Sequence, residues 1–351
     1  MSGQVPGELP FGEGPGALER LEEQLRRAAG VPARIAGGAV ELSPATLHEV
    51  ARAQAARSLL GPGEARVRID LSAFDRIEPP DPKTCALRVG GSACVADVES
   101  SLRAFSLTLG SLTPRARTLT VRDWLTGPHA GLRPIPGNRL ETAALSLTAA
   151  LAGGGVYRSH PSPRSAVGPM LDALFLGAGE QAGLLVEATL RALPSPGAQE
   201  SVHAWVERPE EVVVLLRSAL QAGVTLAEVQ IARQARGYAL DLAFASPAFR
   251  ARRDRAALEK LVAGRGELKA VRRIYDRELP FEGELAWDRL ASAVAQHAPL
   301  GLYRLAREST VVAALGAVQG ARPLDEPPAP LPEPLLRALG RRAPPPAKEP
   351  S

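Results

Sequence analysis

Leu184-Leu185-Val186-Glu187-Ala188-Thr189-Leu190-Arg191-Ala192-Leu193-Pro194-Ser195-Pro196-Gly197 holds the clearest strand of the chain and, directly after it, the clearest break. Leu184, Val186, Ala188 and Leu190 recur at a period of two and so share one face of a strand over 184–190. The two prolines and the glycine of Leu193 to Gly197 end that periodicity and mark a boundary between two domains. Just upstream, Gly177-Ala178-Gly179-Glu180-Gln181-Ala182-Gly183 nearly spells a dinucleotide fingerprint but has one residue too many before its last glycine. A strand follows it where a fingerprint needs a helix, so no helix N-terminus faces a pyrophosphate. The stretch reads as a tight turn ahead of a buried strand, which argues against a doubly wound dinucleotide domain.

Downstream of the boundary the patterns give strand 201–206, helix 209–222, strands 226–232 and 238–245, helix 248–263 and strand 268–274. That is the βαββαβ order of a ferredoxin-like unit. A helix near 284–296, a strand 301–307 and a helix from Ser309 extend it, and from Pro323 proline density leaves room for one turn at Leu335 to Leu339. Upstream, a Gly/Pro-rich start precedes a short helix carrying Leu18, Leu21 and Leu25. A second helix opens at Ser43 and Pro44 and runs to about Leu60, and strands follow at Arg66 to Leu71 and Cys85 to Val89. Val95, Val98, Leu102 and Phe105 form a helical stripe, Leu145 to Leu151 a strand, and Pro169 opens a short helix through Leu174. The chain thus divides into a loose N-terminus with one helix (1–39), a first domain (40–196), a second domain (197–322) and a proline-rich tail (323–351).

Bulk properties narrow the function. The 351 residues, 45% of them hydrophobic, suit two packed domains, and 42 basic against 38 acidic residues leave a formal charge of only +4. The densest basic stretch, Arg250 to Arg255, also carries Asp254 and lies on a helical pattern, so it reads as a solvated helix face, with phosphate or nucleic-acid binding through 250–273 as the lesser alternative. Cys85 and Cys94 have no redox or metal spacing, and the five histidines are scattered. No leader pattern and no membrane-length apolar run occurs, which predicts a cytoplasmic protein without a membrane span.

Several segments fall in one order: Ile69-Asp70-Leu71-Ser72, Val89-Gly90-Gly91, Thr120-Val121-Arg122-Asp123-Trp124-Leu125, Ala130-Gly131, Ser165 through Gly177, and Val186 through Pro194. In that order the chain resembles the PCMH-type FAD-binding flavoproteins, the vanillyl-alcohol-oxidase family, among them the alkyl-dihydroxyacetonephosphate synthases and the FAD-binding subunit of glycolate oxidase. Ser165-Ala166-Val167-Gly168-Pro169-Met170-Leu171 is similar to the family's "STGPDL" segment, and Val186-Glu187-Ala188-Thr189-Leu190-Arg191 to its "ITEATLR" strand. The resemblance implies an α+β fold with a PCMH-type FAD-binding domain followed by a smaller ferredoxin-like α+β domain. It further implies FAD as cofactor, with Thr120, Val121, Ala130, Gly131, Ser165, Gly168 and Val186 at the cofactor. It assigns no catalytic base, and Arg236, Tyr238, Tyr275 and Tyr303 of the second domain read as structural residues.

The chain departs from the family where a diphosphate must be held. A diphosphate needs several backbone N–H donors from glycine turns that let the chain come close. The family's "PRGGGTS" loop belongs between the opening helix and the "LDLS" strand, where only Gly61 to Ala65 stand here. Its second turn, "TVGG", has become Thr120-Val121-Arg122-Asp123, which sets a carboxylate beside the phosphates. The expectation is therefore an oxidoreductase-family protein of the 2-hydroxy-acid type, or a subunit of one, with weakened or lost FAD binding. The alternative is a cofactor-free structural or regulatory partner of a flavoenzyme; a flavoenzyme or electron-transfer subunit is the implied partner in either case.

Overall fold

The computed structural model describes residues 16–60, 66–110, 112–127, 144–161, 171–195, 200–224, 226–244, 248–263, 281–305, 309–314, 316–323 and 330–339. The first elements are α1 (Ala17–Ala29), β1 (Ala33–Ala36), β2 (Ala39–Leu42), α2 (Leu47–Ser58) and β3 (Val67–Ile69). The span expected to be a loose lead is packed from α1 onward. Leu21, Leu25 and Ala29 of α1 are buried with Val40, Leu42, Ala53 and Ala56, and β1 pairs antiparallel with β2. Helix α2 starts three residues later than Ser43-Pro44 implied. Thr46 accepts from the Glu49 N–H, and the Glu49 carboxylate accepts from the N–H groups of Ala45 and Thr46, a reciprocal cap. Strands β2 and β3 are parallel neighbours, with α2 as their crossover.

A second layer is built from β4 (Ala86–Gly90), α3 (Val95–Arg103), β5 (Leu107–Thr108), α4 (Pro114–Thr118), α5 (Val121–Thr126), β6 (Ala144–Leu151), β7 (Val156–Arg158), β8 (Gly183–Arg191) and β9 (Leu193–Pro194). Its antiparallel sheet runs β4-β8-β6-β7. Strand β8, the stretch from which the sequence was read, lies between β4 and β6 and buries Leu184, Val186, Ala188 and Leu190. The four do not share one face as the period of two implied: Leu184 and Val186 lie in one core cluster and Leu185, Ala188 and Leu190 in another, because the pairing with β6 is irregular between Thr148 and Ala149 and shifts the alternation. Helix α3 places Val95, Val98 and Leu102 in the core, but Phe105 is 51% exposed. The helix has ended by then, and Ser106 takes a left-handed conformation that turns the chain into β5.

The second unit comprises β10 (Glu200–Val206), α6 (Pro209–Gln221), β11 (Leu226–Gln234), β12 (Gly237–Phe244), α7 (Ala248–Val262), β13 (Phe281–Ala286), α8 (Trp287–His297), β14 (Leu300–Leu305), β15 (Ser309–Ala314) and β16 (Arg322–Pro323). Helix α6 follows its sequence signals. Pro209 opens it, Val212, Leu215, Leu216 and Ala219 form the buried stripe, and Gly223 ends it. The expected helix from Ser309 is instead strand β15. The run Thr310-Val311-Val312 suits a pleat, and β15 pairs with β13 on one side and β14 on the other.

Among the described residues the sheet order is β10-β12-β11-β14-β15-β13-β16, all pairs antiparallel. The units β10-α6-β11-β12 and β13-α8-β14-β15 therefore repeat one βαββ arrangement, joined through β11 and β14, with α6 and α8 packed on each other. The expected strand 268–274 and Tyr275 lie outside the described residues. Tyr238 is buried in the core beneath the helices. The basic stretch of α7 keeps Arg252, Arg253 and Arg255 exposed, as expected of a solvated face, while Arg250 and Arg253 also donate to the carbonyls of Gly223 and Ala222 at the end of α6. Asp254 beside them is 1% exposed and so is no part of a solvated face.

From the tail, α9 (Glu333–Ala338) returns to the first unit. Leu331 and Leu339 pack on the core behind β4 and β8. The Leu331 N–H donates to Gln181 Oε1 at 2.7 Å, and the Gly153 N–H donates to the Leu339 carbonyl at 3.2 Å.

Candidate cofactor-binding site

Thr120, Val121 and Val186 come together around one glycine. Gly91 donates its N–H to the Val186 carbonyl at 2.7 Å, and its own carbonyl accepts from the Arg122 N–H at 2.8 Å. A methyl group on Gly91 would lie 2.8 Å from the Leu185 carbonyl oxygen, and one on Gly90 would lie 2.0 Å from that of Phe74. Both glycines are thus explained by close approach of backbone to backbone. Val186 is 2% exposed among Val50, Ala51, Leu71 and Ala150.

The turn that carries Thr120 and Val121 is the start of α5, and its donors are engaged. Val121 N–H bonds to the Ala93 carbonyl and Arg122 N–H to that of Gly91, each at 2.8 Å. Asp123 N–H bonds to Thr120 Oγ1 at 3.1 Å, and Trp124 N–H closes the first helical bond to the Thr120 carbonyl at 2.8 Å. Thr120 in turn donates its hydroxyl to Asp123 Oδ2 at 2.8 Å, and Arg122 Nε lies 3.0 Å from Asp123 Oδ1. A diphosphate would have to displace these partners and approach the Asp123 carboxylate. As built, this turn does not fit it.

The neighbouring glycine turn is used in the same way. Gly177 N–H and Gly179 N–H bond to the carbonyls of Leu125 and Thr126, at 3.0 and 2.7 Å, and so cap the end of α5. Glu180 pairs with the nearly buried Arg57 of α2 at 3.0 Å. The segment 330–339 lies against Gln181 and Gly153. Ala130, Gly131, Ser165 and Gly168 lie outside the described residues, as does the interval Gly61 to Ala65.

One polar cluster beside this face escaped the sequence reading. Asp172 accepts the Tyr157 hydroxyl at 2.8 Å and the Ser159 hydroxyl at 3.1 Å, and Tyr157 stacks on Phe175 with ring centroids 5.1 Å apart. Burial, and then the bond to the Asp172 carboxylate, push the Tyr157 hydroxyl up to about 12. Nothing in the spacing of these residues announces the contact, since β7 and the short turn Leu171–Leu174 meet only in the fold. No group of three or more metal-ligating side chains occurs among the described residues, and no helix there is long and apolar enough to cross a membrane.

No protein-family model matches the sequence. Two crystal structures of alkyldihydroxyacetonephosphate synthase match the fold. The first is 14% identical with a TM-score of 0.60, over 78% of this chain and 66% of that one. The second is 13% identical with the same TM-score, over 78% and 68%. The match thus spans only about two-thirds of the synthase chains. At this identity the likeness speaks for architecture alone. The chain has the α+β fold of alkyldihydroxyacetonephosphate synthase, a PCMH-type FAD-binding enzyme.

Proposed function

We propose that this chain is an oxidoreductase-family protein of the 2-hydroxy-acid type, or a subunit of one, whose FAD binding is weakened or lost. The observation that carries the reading is the engagement of all four N–H groups from Val121 to Trp124 by protein acceptors. Loss of two or three charge-assisted contacts, at ~1.5–3 kcal/mol each, weakens a flavin complex by several powers of ten. Titration calorimetry with FAD on the purified full chain tests this. Binding in the micromolar range or weaker is expected, and nanomolar binding would overturn the reading.

A second reading, a cofactor-free structural or regulatory partner of a true flavoenzyme, is favoured by the segment 330–339. It lies against Gln181 and Gly153, beside the glycine turn Gly177 to Gly179 that caps α5. Co-purification with a yellow partner protein, from a chain that itself carries no flavin, would support this reading over the first.

A further inference from the structure

We propose that segment 330–339 is a displaceable strap, and that the surface it occupies on the first unit also takes the same segment of a second copy of the chain. The seat has two polar ends and an apolar middle. At one end Gly153, in the exposed turn between β6 and β7, donates its N–H to the Leu339 carbonyl at 3.2 Å. At the other Gln181 Oε1, ahead of β8, accepts from the Leu331 N–H at 2.7 Å. Leu331 and Leu339 themselves pack on the core of the first unit. All these contacts are made by the segment's own main chain and two of its side chains. The segment of a second copy therefore presents the seat with the same groups.

The segment is also built to leave. No residue of 330–339 is buried, so its release opens no core. Helix α9 has only six residues, far below the length at which an isolated helix persists in water, and it is ordered where it docks. Docking therefore loses part of its binding energy to ordering, which keeps the closed state weak. The connection from β16 is the six residues 324–329, with Pro327 and Pro328 in its sequence. A proline-rich stretch is a semi-rigid spacer, and six residues reach at most ~21 Å. A tether of that length holds its segment near the seat at an effective concentration on the order of 1 mM. A second copy competes once its own concentration approaches that value, and exchange of identical segments is a low-cost route to a dimer.

The proposal is independent of whether the chain holds FAD. It is tested with a fluorescein-labelled peptide of residues 328–341, standing for the tail of a second copy, added to the full chain and followed by anisotropy. Leu331→Asp with Leu339→Asp vacates the seat; should that variant fail to fold, Leu331→Ser with Leu339→Ser replaces it. The expected result is saturable binding to the vacated chain and binding about tenfold weaker to the wild type, whose own segment competes. Adding Gln181→Ala to the vacated chain should weaken binding about tenfold, the loss of one hydrogen bond. In sedimentation, the wild type should gain mass as its concentration approaches about 1 mM, and the vacated chain should not. Absence of saturable binding to the vacated chain overturns the proposal, as does equal affinity for both chains. So does complete exclusion of the peptide from the wild type, which would make the strap a fixed part of the fold. A wild type that stays monomeric throughout, or a gain in mass that the vacated chain shares, overturns it as well.

Discussion

Gly91→Ala separates a glycine kept for packing from one kept for a phosphate. The added methyl would sit 2.8 Å from the Leu185 carbonyl oxygen and 3.1 Å from that of Val186, both backbone atoms of a central strand. Neither can swing aside as a flexible side chain would, so β8 or the start of β4 to α3 must shift. Overpacking of this kind costs about 1–3 kcal/mol, and weakening the two bonds through Gly91 adds about 1 kcal/mol. At about 2.1 cal/mol/K of unfolding entropy per residue, a total near 3 kcal/mol lowers Tm by roughly 4 °C for cooperative unfolding of all 351 residues. Gly155→Ala is the control, since its methyl would meet only the Leu151 side chain at 3.5 Å, an ordinary contact. Thermal unfolding followed by circular dichroism, with urea titration for the free energy, measures both variants. A Gly91→Ala protein within about 0.5 kcal/mol of wild type, the range of ordinary surface changes, would refute the packing account.

Tyr157 should make stability fall at high pH. Its folded pKa of about 12 exceeds the unfolded value near 10, so the folded chain holds the proton more tightly. The stabilisation is complete below about pH 10 and is lost as pH rises through about 12. Two units correspond to about 2.7 kcal/mol, and solvent screening of this partly exposed ring reduces that to about 1 kcal/mol. The stability gap between wild type and Tyr157→Phe, measured by urea titration, should therefore narrow over that window, and a constant gap would contradict it. Leu331→Asp with Leu339→Asp should free segment 330–339, read as faster amide exchange at Gly153 while the second unit keeps its protection. Arg122→Gly with Asp123→Gly should tighten FAD binding measurably but leave it short of nanomolar, because the loop missing between α2 and β3 is not restored; unchanged affinity would show that this turn is not what limits binding.

Legibility in the sequence followed the range of the forces involved. Strand β8 and helix α6 could be read because local periodicity and nearby Pro or Gly fix them. Strand β15 could not, since Ser309 to Ala314 is short and apolar and becomes a strand only through β13 and β14 on either side. The repeat of the βαββ arrangement was hidden for the same reason, although the alternation Phe281, Gly283, Leu285 before Trp287 was an available signal for β13 and α8. The opening of α2 was misplaced because Ser43-Pro44 and Thr46-x-x-Glu49 are both start signals, and the reciprocal cap prevailed. At the candidate site, the exchange of two glycines for Arg122 and Asp123 was visible. That the Val121 and Arg122 amides bond to the carbonyls of Ala93 and Gly91 was not, because those contacts join segments about thirty residues apart in sequence.

The central claim is that the turn at Thr120 to Trp124 no longer serves a diphosphate, and the flavin content of the full chain purified without added FAD tests it most directly. Absorbance near about 450 nm reports the cofactor itself. The account predicts a colourless or clearly sub-stoichiometric preparation. Stoichiometric yellow protein that keeps its flavin through gel filtration would contradict it.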